Sequence, residues 1–450
     1  MRRGTVATAL AVTALIAPLA VGSPAAAADG ERADEGTLLG GAAYALRQPV
    51  DWEGALIVMP GRGNLDAPIA DWLVSEGIGV IGYDLSDDWD LEQDRDNAAA
   101  ARERFAGFAG ATPETTIVAG RSQGGLTTRI VADAQPEWLD GALPMCGGGA
   151  GNISTWNYKL DTAFALRELV DPDSPMRITG IEDAGAELAA MNDLVAKAGA
   201  SEEGRARAAL AAALSKIPAV DRATGQPLPA SDLDARIDRY LEHLPFAMGS
   251  HVRVGYERTV GGVFSWNTGV DYERALHESG RWPEVVAAYR EAGLSLQDDL
   301  DTLAGAERLS ADPAAVAFVE RTSTFTGELS APVLSLHTTG DGAGSTQDDE
   351  AYAQTVRAAG AAPLLRQLVV SADGHCTFTP GEEAVAIRVL LDRIETGRWS
   401  ATSPAALERE LTALQAHADI ALGDARFVQQ PRLGTPARPW DAGDWGTYRG

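Results

Sequence analysis

The run Thr115-Thr116-Ile117-Val118-Ala119-Gly120-Arg121-Ser122-Gln123-Gly124 decides how this chain reads. Thr115 to Ala119 is a short apolar stretch of the kind that forms a buried strand, and the residues from Leu126 to Ala134 are compatible with a helix. Between them a serine stands at a sharp strand-to-helix turn, with glycine two places before it and two after it, the G-x-S-x-G of a nucleophile elbow. Glycine flanks the serine because side chains there would collide with neighbouring backbone, and the following helix points its positive end at developing negative charge. Acyl transfer is the chemistry such a turn suits. In a chain with 48 glycines the spacing alone also fits an ordinary glycine-rich turn, so the strand and helix around it carry the weight.

Outward from the elbow the same rhythm repeats. Thr37 to Val50 and Ala55 to Met59 read as strands, followed by the loop Pro60-Gly61-Arg62-Gly63-Asn64, a helix through 70–74, and a strand over 79–83. A helix is predicted over 94–108, the elbow helix over 123–134, and a buried strand over 142–145. Alternating short strands and helices imply a largely parallel sheet with helices on both faces. The alternation stops near Asn152 and gives way to helical pieces such as 202–217 and 231–244, where Leu233, Ile237, Leu241 and Leu244 recur at helical spacing. It resumes at Pro332 to Leu336, with a helix over 348–359, a strand over 365–370 and a helix over 382–394. The expected organisation is therefore a leader over 1–28, an α/β core over 29–151 and 327–428, a helical insertion over 152–326, and an extended Pro-, Gly- and Trp-rich tail over 429–450.

Met1-Arg2-Arg3, an apolar run from Val6 to Val21 and the small residues before Asp29 read as a secretory signal cut after Ala28. The other reading, a membrane anchor, is disfavoured because the run is short and Pro18 interrupts it, and no later stretch is long and apolar enough to span a bilayer. The expectation is a secreted, extracellular protein without stable membrane insertion. The formal charge of −27 grows more negative once Arg2 and Arg3 leave, which argues against nucleic acid as a partner. Cys146 and Cys376 are the two cysteines, and in an oxidising compartment they read as one bridge from a strand end to a histidine loop, with two buried thiols as the alternative. Two thiols without a nearby histidine pair make a poor metal site, and no metal or organic cofactor is implied.

A serine nucleophile needs a base, and the base needs a group that fixes its tautomer. Asp341 closes Leu336-His337-Thr338-Thr339-Gly340-Asp341 just past one predicted strand, and His375 lies in Asp373-Gly374-His375-Cys376 just past the next. Asp348 and Asp349 could replace Asp341, but they fall inside a predicted helix, where carboxylates at the N-terminus are favoured for the dipole alone. His337 lies within a strand and reads as a core or loop histidine. His243, His251, His277 and His417 read as surface or packing residues.

The order Ser122, Asp341, His375, each after its own strand, resembles the α/β-hydrolase family from about Thr37 to Arg398. The resemblance implies a mostly parallel eight-stranded sheet flanked by helices, with the active site at the strands' C-terminal ends and a large helical cap over the acyl pocket. It also implies an oxyanion hole made by the backbone N–H of Gln123 and one from Arg62 or Gly63. Here the chain departs from the family, having Pro60-Gly61-Arg62 where many members have His-Gly. Trp156-Asn157 and Trp266-Asn267 offer Trp156 and Trp266 as pocket walls, with packing as the bland alternative. The implied activity is that of a serine hydrolase, cleaving a small-molecule or polymeric ester first, with amide or peptide hydrolysis second. A catalytically silent binding protein of the same fold is the reading from another class.

Overall fold

The strand Gly79–Tyr83 is buried along its whole length, as are Val58 and Val118 in the strands that follow it across the sheet, which is what a sheet covered on both faces demands. The computed structural model describes residues 31–344, 346–429 and Arg438; the leader read over 1–28 lies outside them. Among the described residues nine strands form one sheet: β1 (Glu31–Thr37), β2 (Ala43–Pro49), β3 (Ala55–Pro60), β4 (Gly79–Tyr83), β5 (Thr115–Arg121), β6 (Gly141–Met145), β7 (Val333–Gly340), β8 (Leu365–Asp373) and β9 (Phe427–Val428). Their spatial order is β1-β2-β4-β3-β5-β6-β7-β8-β9. From β4 through β3, β5, β6 and β7 to β8 every pair is parallel, while β1, β2 and β9 join antiparallel.

Two details differ from the sequence reading. The sheet has nine strands, not eight, because Phe427 and Val428 pair with Val370 and Val369. The stretch read as one strand from Thr37 to Val50 is a hairpin, turned between Leu38 and Ala42 with Gly41 at φ 91°. Its first strand begins at Glu31 and is largely exposed, so it carries no apolar alternation that could announce it.

Side chains leave a strand on alternate faces, and the core divides accordingly. Ile57, Met59, Ile117, Ala119 and Leu143 pack with Trp72 and Leu73 of the helix Pro68–Ser75 and with Val385 and Leu390 of Pro380–Thr396. Leu56, Val58, Ile81 and Val118 point the other way, onto Phe105 of the helix Leu91–Ala109 and Val356 of Thr346–Ala358. Between β6 and β7 the chain runs through a set of helices from Asn152–Val170 to Pro313–Ser323; most share a core of their own, while Val316 and Val319 of the last pack in one cluster with Leu126 of the elbow helix. At the centre of the shared core Ala206 and Ala208 to Ala213 of the helix Glu202–Leu214 are almost wholly buried; alanine lets neighbouring helices approach closely.

Lys159, on the helix Asn152–Val170, ties this helical layer to the sheet. Its buried ammonium donates to the carbonyls of Phe246 (3.2 Å) and Ala247 (3.2 Å), at the end of the helix Leu233–Met248, and to that of Ala343 (2.8 Å) in the loop after β7. A cation there also faces the negative end of that helix. Of the tail over 429–450, only Gln429 and Arg438 are described; Arg438 donates to Asp161 (2.7 Å) and to the Trp266 carbonyl (3.1 Å). Among the described residues no helix is long and apolar enough to cross a membrane.

Candidate active site

Ser122 follows β5 and caps the helix Gln123–Asp133 with φ 57° and ψ −120°, a conformation rare for any residue with a side chain. The turn is sharp enough that its glycines have no room to spare. A Cβ at Gly120 would lie 2.3 Å from the Gly124 carbonyl oxygen, and one at Gly124 would lie 2.4 Å from that of Pro60. Gly125 is equally confined, 2.4 Å from the Met145 carbonyl oxygen. The Ser122 N–H donates to Met145 O at 3.0 Å, binding the elbow to the end of β6. The result is an exposed serine on a rigid, buried base.

Asp341 and His375 reach the same rim from β7 and β8, whose register shifts between Thr338 and Gly340 just before Asp341. Such irregularities re-aim the side chain that follows. His375 Nε2 lies 2.7 Å from Ser122 Oγ, and His375 Nδ1 lies 2.7 Å from Asp341 Oδ2. With Nδ1–H donated to the carboxylate, Nε2 is left to accept from the serine hydroxyl. The other carboxylate oxygen, Oδ1, accepts from the N–H groups of Ala343 (2.8 Å) and Gly344 (3.3 Å). Burial alone would raise Asp341, but His375 and His337 beside it hold it well below the ordinary carboxylate range.

The His375 loop is fixed at three points. The Gly374 N–H donates to Gly340 O (3.1 Å), the Thr338 hydroxyl donates to Gly374 O (2.6 Å), and Cys376 is joined to Cys146 across a Cα–Cα distance of 5.7 Å. Both cysteines hold left-handed φ values, 46° and 54°. The two sulfurs and a His375 ring nitrogen lie within 4.8 Å of one another. Because the sulfurs are bonded to each other, the group offers no thiolates to a metal.

Gln123 directly follows the serine, and Arg62 lies just past the end of β3. The Gln123 N–H opens the helix Gln123–Asp133, where the first amides have no partner within the helix. Its side chain turns away, donating to Ser86 O (2.9 Å) and to Asp94 Oδ2 (3.0 Å). Asp94, buried and pushed up to about 6 by that burial, also accepts from the Ser86 N–H at 2.8 Å, and so pins the elbow to the loop after β4. Arg62 opens a short 3-10 turn after Gly61, and its guanidinium is held 3.0 Å from Asp84. Gly63 beside it faces open space.

Trp156 and Trp266 are buried in packed surroundings instead of standing free as pocket walls. Trp156 sits among Trp89, Tyr256 and Phe264, and Trp266 lies under Arg438. A different aromatic faces the site. Phe246, 43% exposed, meets the His375 ring edge-on with centroids 5.1 Å apart. It escapes a reading of the sequence because it lies within a helix whose apolar stripe points elsewhere. His243, on the same helix, packs with Arg239 against Asp373 at the end of β8.

His337 is buried, as expected of a strand histidine, but among acids. Its Nδ1 lies 2.7 Å from Asp349 and its Nε2 3.1 Å from Asp341. Asp349 is held in turn by the fully buried Arg129. Nothing local in the sequence signals this set; its members come from three separate elements.

No family model matches the chain. An o-phthalyl amidase of Xanthobacter agilis is 29% identical over 409 residues, covering 82% of this chain and 88% of that protein. Among solved structures, feruloyl esterase B of Aspergillus oryzae aligns at 13% identity and TM-score 0.39, covering 82% of this chain and 80% of that one. An acylaminoacyl peptidase of Pyrococcus horikoshii aligns at 10% identity and TM-score 0.35, over 82% of this chain and 40% of its own.

Proposed function

We propose, from the premise that this chain has the α/β-hydrolase fold, that it is a serine acyl hydrolase that cleaves carboxylic amides and, faster because they are intrinsically more reactive, the corresponding esters. The observation that carries the reading is the continuous series Ser122 Oγ, His375, Asp341, with both links at 2.7 Å and the serine open to solvent. Ser122 attacks the acyl carbonyl as His375 Nε2 takes its proton. The N–H groups of Gln123 and of Arg62 or Gly63 receive the oxyanion, each such donor being worth about 3 kcal/mol. Collapse expels the amine or alcohol, which takes the proton from His375. Water then repeats the attack on the acyl-enzyme, and the carboxylic acid leaves.

Ester cleavage, placed first by the sequence, demands least of this machinery and stays within its reach. The amide moves ahead because the 29% identical relative, matched over most of both chains, is an amidase. Phe246 supports an apolar or aromatic group beside the base. The leader-like N-terminus together with the Cys146–Cys376 bridge supports an exported enzyme, and the acidic charge supports a small or polymeric acyl substrate over nucleic acid.

A matched panel tests the bond: aromatic and aliphatic acyl p-nitroanilides, phthalyl amides, and the corresponding p-nitrophenyl esters. Turnover of aromatic acyl amides, with faster turnover of their esters, is the expected result. Ester turnover with every amide inert would reduce the enzyme to an esterase, and failure of both classes would overturn the hydrolase reading.

A further inference from the structure

Behind the Ser122 series lies a second one that the mechanism above does not use. Both ring nitrogens of His337 face oxygen acceptors: Asp349 Oδ2 at 2.7 Å on one side, and Asp341 Oδ2 and the Gly344 carbonyl, each at 3.1 Å, on the other. A neutral imidazole has one N–H and one lone pair, so in this setting it would aim a lone pair at oxygen. Only the doubly protonated ring satisfies both sides. From these contacts we propose that His337 is a positioning residue, a standing imidazolium that bridges Asp349 to Asp341 and fixes the aim and the charge of the carboxylate that orients His375. The inference rests on the serine-hydrolase reading above.

The charges around the ring are consistent with this. Asp341 stands at the end of its own strand, and the helix Thr346–Ala358 brings Asp348 and Asp349. Arg129 reaches Asp349 from the elbow helix. From the helix Asn152–Val170, Tyr158 donates to Asp348 at 2.9 Å, and Lys159 holds the Ala343 carbonyl beside Asp341. His375 completes the set from the loop after β8. Arg129, Asp349, His337 and Asp341 therefore alternate in sign along one hydrogen-bonded row. Burial favours a neutral ring, but the two carboxylates prevail and raise His337 to about 10.

Asp341 is held on both oxygens, Oδ1 by two backbone N–H groups and Oδ2 by two imidazoles. His337 thus draws on the same oxygen that His375 uses. It keeps the carboxylate from rotating and offsets part of the negative charge that the base feels. Without the imidazolium, Asp341 acts on His375 as an uncompensated anion, and protonation of the base at low pH is favoured.

The test combines the wild type and His337→Gln. In wild-type enzyme labelled with [15N]histidine, one of the six histidine rings should remain protonated on both nitrogens at about pH 8.5. In folded His337→Gln, kcat/KM should fall by roughly 10- to 100-fold, and the acidic limb of its pH profile should move up by about one unit. A merely structural histidine would cost thermal stability and leave that limb in place. A neutral His337 ring in the wild type, or an unmoved limb in the folded variant, overturns the proposal; if the variant does not fold, the wild-type ring decides. Labelling of wild-type Ser122 by a fluorophosphonate separates the two levels. An unlabelled wild type strikes the hydrolase reading, whereas a labelled wild type with a neutral ring strikes only this inference.

Discussion

Removing the Cys146–Cys376 bridge should weaken both the fold and the site, by amounts the structure sets. The bridge closes a span of 230 residues, and a loop of that length costs the unfolded chain about 5 kcal/mol of entropy at 25 °C in the chain-entropy model. Unfolding entropy of about 2.1 cal/mol/K per residue over roughly 400 residues converts this into a Tm loss of about 6 °C. The catalytic effect has a separate origin. Cys376 is joined in sequence to His375, and Cys146 follows the strand to which Ser122 N–H is bonded. The bridge is thus a short covalent path between the two loops that must bring base and nucleophile together. A drift of about 1 Å between reacting groups can cost about 100-fold. The double variant Cys146→Ala, Cys376→Ala should therefore lose roughly 10- to 100-fold in kcat/KM, measured on the best substrate of the panel beside a calorimetric scan. A variant with parental Tm and parental activity would refute the reasoning.

Gly124→Ala places a Cβ 2.4 Å from the Pro60 carbonyl oxygen, a backbone atom that cannot swing aside, so at least about a 100-fold loss of activity is expected in a protein that circular dichroism still reports as folded. Phe246→Ala removes an exposed ring from the edge of His375; KM for aromatic acyl substrates should rise roughly 5- to 10-fold while kcat and Tm hold, which steady-state kinetics and a thermal melt will show. Because the folded His337 is raised above its unfolded value of 6.5, the stability it contributes is full below pH 6.5 and is lost as pH rises through about 10. Tm should accordingly decline between about pH 7 and 10, and His337→Gln should flatten that decline.

The parts of the fold that are legible in the sequence are those where one element declares itself. Gly79 to Tyr83 and Thr115 to Ala119 are short apolar runs because both faces of the sheet are covered, and the elbow has glycines because its neighbours are backbone. Asp341 and His375 can be found because strand ends in a parallel sheet share one rim. What escapes is set by contacts between elements. Glu31 to Thr37 is an exposed edge strand without an apolar face, and Phe246 differs from other helical phenylalanines only by what it touches. Asp349 reads as a carboxylate favoured at a helix start, and it does lie in the first turn of Thr346–Ala358, yet its oxygens are committed to His337 and Arg129. Asp94 likewise lies in the first turn of a helix while its carboxylate holds Gln123.

Intact-protein and peptide mass spectrometry after exposure to a fluorophosphonate tests the nucleophile most directly. One adduct should appear, on the peptide bearing Ser122, absent in Ser122→Ala and formed far more slowly in His375→Ala. An adduct on another residue, or undiminished labelling in Ser122→Ala, would contradict the assignment of Ser122.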